Sequence, residues 1–354
     1  MKKDLNILEA LLEAQKIAFA PFVFQASVAA KKLGIFAVLA KNPSSEVEIS
    51  KSCNISIYGV KIIVELLLCA NVLTHKNGKY ALSKIGECLY FDAMSDANMD
   101  FTADVCYQGL YELSECIKQG KPLGLKTFGD WDSIYPHLSE LPNEARQSWF
   151  KFDHFYSDRA FSDCIAFLSK HFAPKILFDI GGNTGKFATV ALKNIEYLHL
   201  VLIDLKEQCR LANNNPELSP YKERFGTASV NWLDKDAMPQ FEGESIQADI
   251  IFMSQFLDCF SDEEAKSILT RAKKLLKKDG KIAILECFFD VQKHEAAALS
   301  IAATSAYFTT MANGNSRFFT SDELRQIIAD SELNITHEID NIGISHTLFI
   351  CEPM

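Results

Sequence analysis

No arginine precedes Arg146 in this chain, and lysine plus arginine number 36 against 46 aspartates and glutamates, a formal net charge of −10. That balance repels phosphate backbones and excludes an ordinary nucleic-acid binder unless one face is strongly basic. Of ten cysteines, scattered from Cys53 to Cys351, none forms a C-x-x-C pair, and no Cys/His cluster has zinc spacing. A metal site is therefore not expected, and the thiols read as buried and free in a reducing compartment. Long apolar runs are missing too. Lys2 and Lys3 could open a leader, but Asp4, Glu9 and Glu13 interrupt its apolar core. Residues 17–30 are too few to span a bilayer and are broken by Pro21, Gln25 and Ser27. The expectation is a cytoplasmic protein with no membrane partner. Neither repeats nor low-complexity segments occur. At 354 residues, 48% hydrophobic and 23% charged, the chain is too long for one ordinary core and predicts two domains.

Residues 1–100 form the first of these. Leu5, Leu8, Leu11 and Leu12 recur at helix spacing, and a second apolar run ends in Leu33-Gly34-Ile35-Phe36. Ser56 can cap a helix over 57–70, with Val60, Ile63, Val64 and Leu67 on its apolar face. Segments 72–75 and 80–82, joined through Asn77-Gly78, predict a β-hairpin. Helix, helix, hairpin is a winged-helix arrangement. A helix that reads DNA needs exposed Arg, Lys, Asn or Gln. Between 57 and 70 the charges are only Lys61 and Glu65, so the module reads as one for packing or dimerisation.

Residues 101–354 form the second domain. Its first part, 101–165, reads as helical and is rich in aromatics from Trp149 to Phe161, with His154 among them. From Lys175 the texture changes. Apolar runs at 176–180, 198–203, 249–253 and 281–286 alternate with helical patterns such as 263–276, the mark of a parallel sheet covered by helices. The last two strands, 335–339 and 347–351, are so close in sequence that they can pair only antiparallel.

The stretch Asp179-Ile180-Gly181-Gly182-Asn183-Thr184-Gly185 follows the first of these strands and opens a helix over 186–192. A phosphate-binding G-x-x-x-x-G-K-[ST] loop fails, because Ile180 stands at its first glycine and Phe187 follows Lys186. G-x-G-x-x-G fails at Asn183. Asp-x-Gly-Gly-x-x-Gly remains, with an acid at the strand end that could hold an ammonium. The next strand ends in Asp204, about 20 residues on, where a carboxylate can accept both ribose hydroxyls. NAD and S-adenosylmethionine sites share that acid, so only the glycine pattern separates them.

The segments Leu33-Gly34-Ile35-Phe36, Tyr80 to Gly86, Phe178 to Gly185 and Ser261-Asp262-Glu263 resemble, in order and spacing, class I O-methyltransferases of the plant phenylpropanoid, hydroxyindole and bacterial polyketide-tailoring type. The resemblance covers nearly the whole chain. It implies an α/β fold, a Rossmann-like mixed seven-stranded sheet behind an N-terminal helical winged-helix dimerisation domain. It implies a homodimer, S-adenosylmethionine as cofactor and a small-molecule acceptor. Cofactor contacts are expected from Asp179, Gly181, Gly182, Asn183, Gly185, Asp204, Leu205, Asn231, Trp232, Ser254 and Gln255.

The catalytic segment departs from the family. Where an L-H-D-W run usually supplies a histidine base, this chain has Leu257-Asp258-Cys259-Phe260. A phenol titrates about 6 units above an aspartate and only ~3.5 above a histidine, so Asp258 needs burial to raise its pKa. One supporting carboxylate matches Glu286, the second falls near Ser316 and is missing, and His154 is another candidate base. Trp149, Phe155, Tyr307, Phe308 and Met311 are expected to wall an aromatic acceptor, with Asn313 and Arg317 orienting a polar substituent. The reading is O-methyl transfer. Transfer to carbon or nitrogen, a cofactor-binding homodimer without turnover and, more distantly, a winged-helix regulator remain open.

Overall fold

A computed structural model describes residues 5–241 and 246–354; Lys2, Lys3 and Asp4 lie outside the described residues. Two compact units emerge, one ending at Asp104 and one running from Val105 to Met354.

The first unit contains α1 (Ile7–Ala18), α2 (Ala20–Lys32), α3 (Ile35–Lys41), α4 (Glu46–Cys53), α5 (Ile57–Cys69), the hairpin strands β1 (Leu73–Lys76) and β2 (Lys79–Leu82), α6 (Lys84–Phe91) and α7 (Ala93–Phe101). Local chemistry sets its boundaries. Asn6 with Glu9 and Ser45 with Glu48 close capping boxes, and Ser56 accepts from the Gly59 N–H at 3.1 Å. Asn77 and Gly78 take φ of 53° and 74°, the pair of positive values a type I′ hairpin turn needs. Phe36, Val60, Val64 and Leu67 pack with Leu73 and Tyr80 as the core. Lys31 on α2 bonds to Asp96 and Asp100, and Lys32 reaches Asp104 at 3.1 Å. These cations are thus engaged within their own unit. Helix α1 buries none of its residues.

The second unit opens with α8 (Leu113–Gln119), several 3₁₀ turns and the 30-residue α9 (Asn143–Phe172). The stretch before α9 is helical as expected but broken into short turns. Gly120 and Pro122 interrupt it, and Gly109 and Gly124 face each other so closely that a Cβ on Gly109 would lie 1.9 Å from the Met311 sulfur.

Strands β3 (Ile176–Ile180), β4 (His199–Asp204), β5 (Phe225–Ser229), β6 (Ala248–Ser254), β7 (Leu276–Cys287), β8 (Leu333–Ile342) and β9 (His346–Pro353) form one sheet in the order β5-β4-β3-β6-β7-β9-β8. Pairing is parallel from β5 to β7, while β9 runs antiparallel to both neighbours. Between the strands lie α10 (Lys186–Asn194), α11 (Lys206–Asn213), α12 (Asp262–Ala272), α13 (Glu295–Tyr307) and α14 (Ser321–Asp330). Alternate strand residues feed two cores. Phe178, Ile251, Met253, Ile282 and Phe349 meet α12 and α14; Leu177, Leu202, Ile250, Phe252 and Leu348 meet α9 and α10.

Two strands differ from expectation. The segment Phe225–Ser229 lacks an apolar run, and β5 takes its place from edge pairing with β4. Strand β7 starts at Leu276 instead of 281, because a register shift opposite Ala248 accommodates Lys277 to Gly280. All ten cysteines are free thiols; six are buried, but Cys69 and Cys88 are exposed, against the expectation for those two. Among the described residues no single helix is long and apolar enough to cross a membrane, and no group of three His, Cys, Asp or Glu side chains could hold a metal.

The segment after β5 hangs on one side chain. The Arg271 guanidinium donates to the carbonyls of Trp232, Asp234 and Ala237 and lies 5.0 Å from the Trp232 ring centre. Arg271→Met should cost about 1–3 kcal/mol in urea unfolding, the scale of leaving the buried Trp232 carbonyl unpaired. An unchanged midpoint would refute this role.

Candidate cofactor and acceptor site

In this strand order the chain leaves β3 outward to β4 and β5, then crosses to β6. The crevice at the C-terminal ends of β3 and β6 is therefore a topological switch point, where open α/β sheets bind ligands. The glycine loop sits there. Gly181 and Gly185 have φ of 77° and 81°, and Asn183 has 48°. A Cβ on Gly181 would lie 2.4 Å from the Phe256 ring, and one on Gly182 would lie 2.4 Å from Asp179 Oδ2. Only glycine permits this approach.

Two acids frame the loop. Asp179 is buried, and its Oδ2 has no partner; burial first, then the nearby Asp204 charge, pushes its pKa up to about 8. Asp204 accepts from the N–H groups of Asn183 at 2.9 Å and Leu205 at 2.7 Å, yet burial still raises it to about 6. The Asn183 Oδ1, Ser254 Oγ and Trp232 Nε1 are likewise buried without partners. Asn231 is exposed, and Gln255, at φ 45°, binds the buried His346 at 3.1 Å.

A second group lies beyond β6 and β7. Glu286 Oε1 accepts from the N–H groups of Phe256 at 3.1 Å and Leu257 at 2.9 Å, and so grips the turn that carries Asp258. Glu286 and Asp258 are 1% and 2% exposed, too little for water to screen either charge. Burial, reinforced by Asp258, holds Glu286 well above the ordinary carboxylate range despite those N–H bonds. Burial raises Asp258 to about 7; the Cys259 thiol, 3.4 Å from its Oδ1, opposes the shift, and Asp153 on α9 adds to it.

Asp153 was not anticipated. It neighbours His154 in sequence, and adjacent helical residues face directions about 100° apart. His154 instead stacks on Phe150 and lies 3.3 Å from Asp158, one turn along its own helix. Burial lowers its pKa, but Asp158 and Asp153 outweigh that and raise it overall. Tyr135, also unanticipated, places its hydroxyl near Cys259 and Asp258 without a well-formed hydrogen bond. Neither residue sits in a motif, so no sequence signal singled it out.

Three of the four aromatic candidates come together. Trp149 Nε1 donates to Tyr307 Oη at 2.7 Å, and Phe308 packs on Tyr307 and Phe318 with centroids 5.3 Å away in both cases. Phe155 lies under the Arg159 guanidinium at 4.5 Å. Three others are engaged elsewhere. Met311 sulfur fills the slot between Gly109 and Gly124. Asn313 donates to the Cys259 carbonyl at 2.6 Å and accepts from Ser316, the residue at the missing carboxylate. Arg317 forks onto Glu323 at 2.7 and 3.0 Å, so the expectation that it would orient a substituent gives way to a surface ion pair.

Fold and site together define a Rossmann-like enzyme with a nucleotide-type cofactor crevice. Residues 152–338, more than half of the chain, match the family described as Methyltransferase domain, and residues 12–80 match the Dimerisation2-like domain. The chain belongs to that methyltransferase family and is an S-adenosylmethionine-dependent methyltransferase. No curated protein matches the sequence. Among solved structures, the mitomycin 7-O-methyltransferase is similar at 14% identity over 98% of both chains, with a TM-score of 0.74. Human N-acetylserotonin methyltransferase in complex with S-adenosylmethionine is similar at 16% identity over 100% of this chain and 99% of that one, with a TM-score of 0.65. A methyltransferase in calicheamicin biosynthesis, in its S-adenosylhomocysteine-bound form, is similar at 18% identity over 99% of this chain and 100% of that one, with a TM-score of 0.67. At these identities the likeness establishes the shared fold.

The raised Asp179 pKa is a stability statement. A carboxyl whose folded pKa exceeds its unfolded value stabilises fully below the unfolded pKa and loses that contribution as pH rises toward the folded one, here from about 4 to about 8. Asp179→Asn should therefore gain stability over the parent without cofactor as pH rises from 5 to 8, by roughly 2–5 kcal/mol at the upper end. The same change should weaken S-adenosylmethionine binding by about 1–3 kcal/mol. Thermal melts across pH and calorimetry check the two halves.

Proposed function

We propose that the protein methylates a hydroxyl of a small aromatic or conjugated acceptor, with Asp258 as general base. The residues around the glycine loop fit the cofactor. Asp179 offers its unpartnered oxygen to an ammonium, and Asp204 faces the ribose position with Leu205 behind it. Gly181, Gly182, Asn183 and Gly185 allow close backbone approach, while Asn231 and Trp232 would flank the adenine. Ser254 and Gln255 end the strand beside them. Bound there, S-adenosylmethionine supplies a methyl carbon activated by its sulfonium.

The observation that carries the reading is the buried Asp258 in the turn after β6, a turn fixed by Glu286. With a pKa near 7 rather than 4, it is a far better match to a phenol than an exposed aspartate would be. Asp258 would take the hydroxyl proton of the acceptor, while the cofactor, held by Asp179 and Asp204, would supply the methyl group and keep the carbon–sulfur electron pair as its leaving group. Glu286 positions the turn through the backbone. His154 is the weaker candidate, because its ring is engaged by Asp158 at 3.3 Å and stacked on Phe150. The linked Trp149–Tyr307 pair and Phe308 support a flat, apolar acceptor.

Asp258→Asn should lower kcat about 100-fold or more without weakening cofactor binding. In the parent, kcat/KM should rise with pH through about 7, since the base works ionised. Labelled S-adenosylmethionine with a phenolic panel tests both; unchanged turnover in the variant would end the assignment.

The assembly proposed is a homodimer. The dimerisation-domain match supports it, as does α1, which leaves Ile7, Leu8 and Ile17 more than 70% exposed. Light scattering should give twice the chain mass at micromolar concentration; one chain mass throughout would refute it.

A further inference from the structure

Asp258 is buried, and among the described residues one side chain hydrogen-bonds its carboxyl: the Cys259 thiol, 3.4 Å from Oδ1. A carboxylate that works as a base needs a fixed orientation, and a donor to one of its oxygens supplies it. The other acceptor near the sulfur is the Gln255 carbonyl at 3.9 Å, farther away and uncharged. The thiol proton therefore goes to the carboxylate, because an ionised acceptor holds a donor more strongly.

Cys259 is itself held on both sides. Its N–H donates to the Phe256 carbonyl at 3.2 Å, which closes the turn Leu257–Cys259. Its carbonyl accepts from Asn313 Nδ2 at 2.6 Å. The Asn313 amide can face only one way, because its Oδ1 accepts from Ser316 Oγ at 2.8 Å and from the Asn315 N–H at 3.2 Å. With its backbone pinned at both ends, the thiol keeps only rotation about one bond, so little freedom is lost in aiming it.

We propose that Cys259 is a positioning residue for methyl transfer: its S–H donates to Asp258 Oδ1 and leaves Oδ2 for the acceptor hydroxyl, with Asn313 as the clamp that holds Cys259 in place. The inference rests on Asp258 being the base and names what aims it.

Such a bond favours the ionised carboxyl, so its loss should raise the Asp258 pKa. The other titratable groups around this turn are Glu286 and Cys287 on β7, Asp153 on α9, Tyr135 and Tyr307. Among the described residues none of these hydrogen-bonds the Asp258 carboxyl, so none replaces the thiol when it is removed.

The first test needs no acceptor and uses the full chain with S-adenosylhomocysteine bound. Infrared spectra of the parent minus those of Cys259→Ser isolate the Cys259 S–H stretch from the other cysteines. At about pH 9 Asp258 is ionised, while burial and the nearby Asp258 charge keep the thiol protonated. The band should then lie below that of a free thiol and move up in Asp258→Asn, whose uncharged amide holds a thiol less strongly.

The second test follows kcat and KM against pH with labelled S-adenosylmethionine and the phenols that the parent methylates. Cys259→Ala should lower kcat about 5- to 10-fold at neutral pH and raise the midpoint of kcat/KM by about 0.5 to 1 pH unit, with KM unchanged. Cys259→Ser keeps a donor and should recover most of the rate. Asn313→Ala should also lower kcat, and in the double variant the losses should fall short of multiplying, as expected of residues that act as one unit. The inference is overturned if the S–H band stays in place in Asp258→Asn, or if Cys259→Ser loses as much as Cys259→Ala. It is also overturned if the midpoint is unmoved in Cys259→Ala, or if Asn313→Ala raises KM alone, which puts Asn313 on the acceptor. A parent that methylates no phenol while its S–H band behaves as expected would count against the methyl-transfer reading, a result distinct from all of these.

Discussion

The site is organised by carboxyl groups that the fold buries at the C-terminal ends of its strands without neutralising them. Asp179 ends β3, Asp204 ends β4, Asp258 follows β6 and Glu286 nears the end of β7. Parallel strands covered on both faces leave only these ends open to ligands. Placing acids there costs stability, because each raised pKa is free energy the empty protein lacks at neutral pH. The acids fall into two groups, one at the ends of β3 and β4 and another around the ends of β6 and β7.

The first half of that division was legible in the sequence. A buried strand, a glycine-rich turn and a second strand ending in an acid are contiguous, and each has a local physical reason for its residues. The Asn77-Gly78 hairpin and the antiparallel β8–β9 pair were legible for the same reason, since turn chemistry and loop length are local properties. Strand β5 was not. Its residues Phe225 to Ser229 carry no alternating pattern, and only pairing with β4 makes them a strand.

The acceptor half was legible only in part. Asp258 and Glu286 stood at positions the family resemblance marked, but their mutual coupling depends on Glu286 reaching across to the Phe256 and Leu257 amides. His154 was picked on residue type alone, whereas it is the charge of its neighbour Asp153 that acts on Asp258. Arg317 instead pairs with Glu323, a member of the capping box that starts α14 and a contact six residues away that the sequence pattern did not single out.

The two halves meet at Phe256. Its ring lies so close to Gly181 that no side chain could stand there, and its backbone N–H donates to Glu286. One residue thus touches the glycine loop on one side and Glu286, which grips the turn of Asp258, on the other. Gln255 before it is held in a left-handed conformation by the bonds from its amide to Leu285 at 2.8 Å and from its side chain to buried His346. A residue strained this way and packed this tightly cannot shift alone. The Phe256 and Leu257 amides donate to Glu286 and lead into the turn that carries Asp258, so the glycine loop and that turn are joined through Phe256 by direct contact.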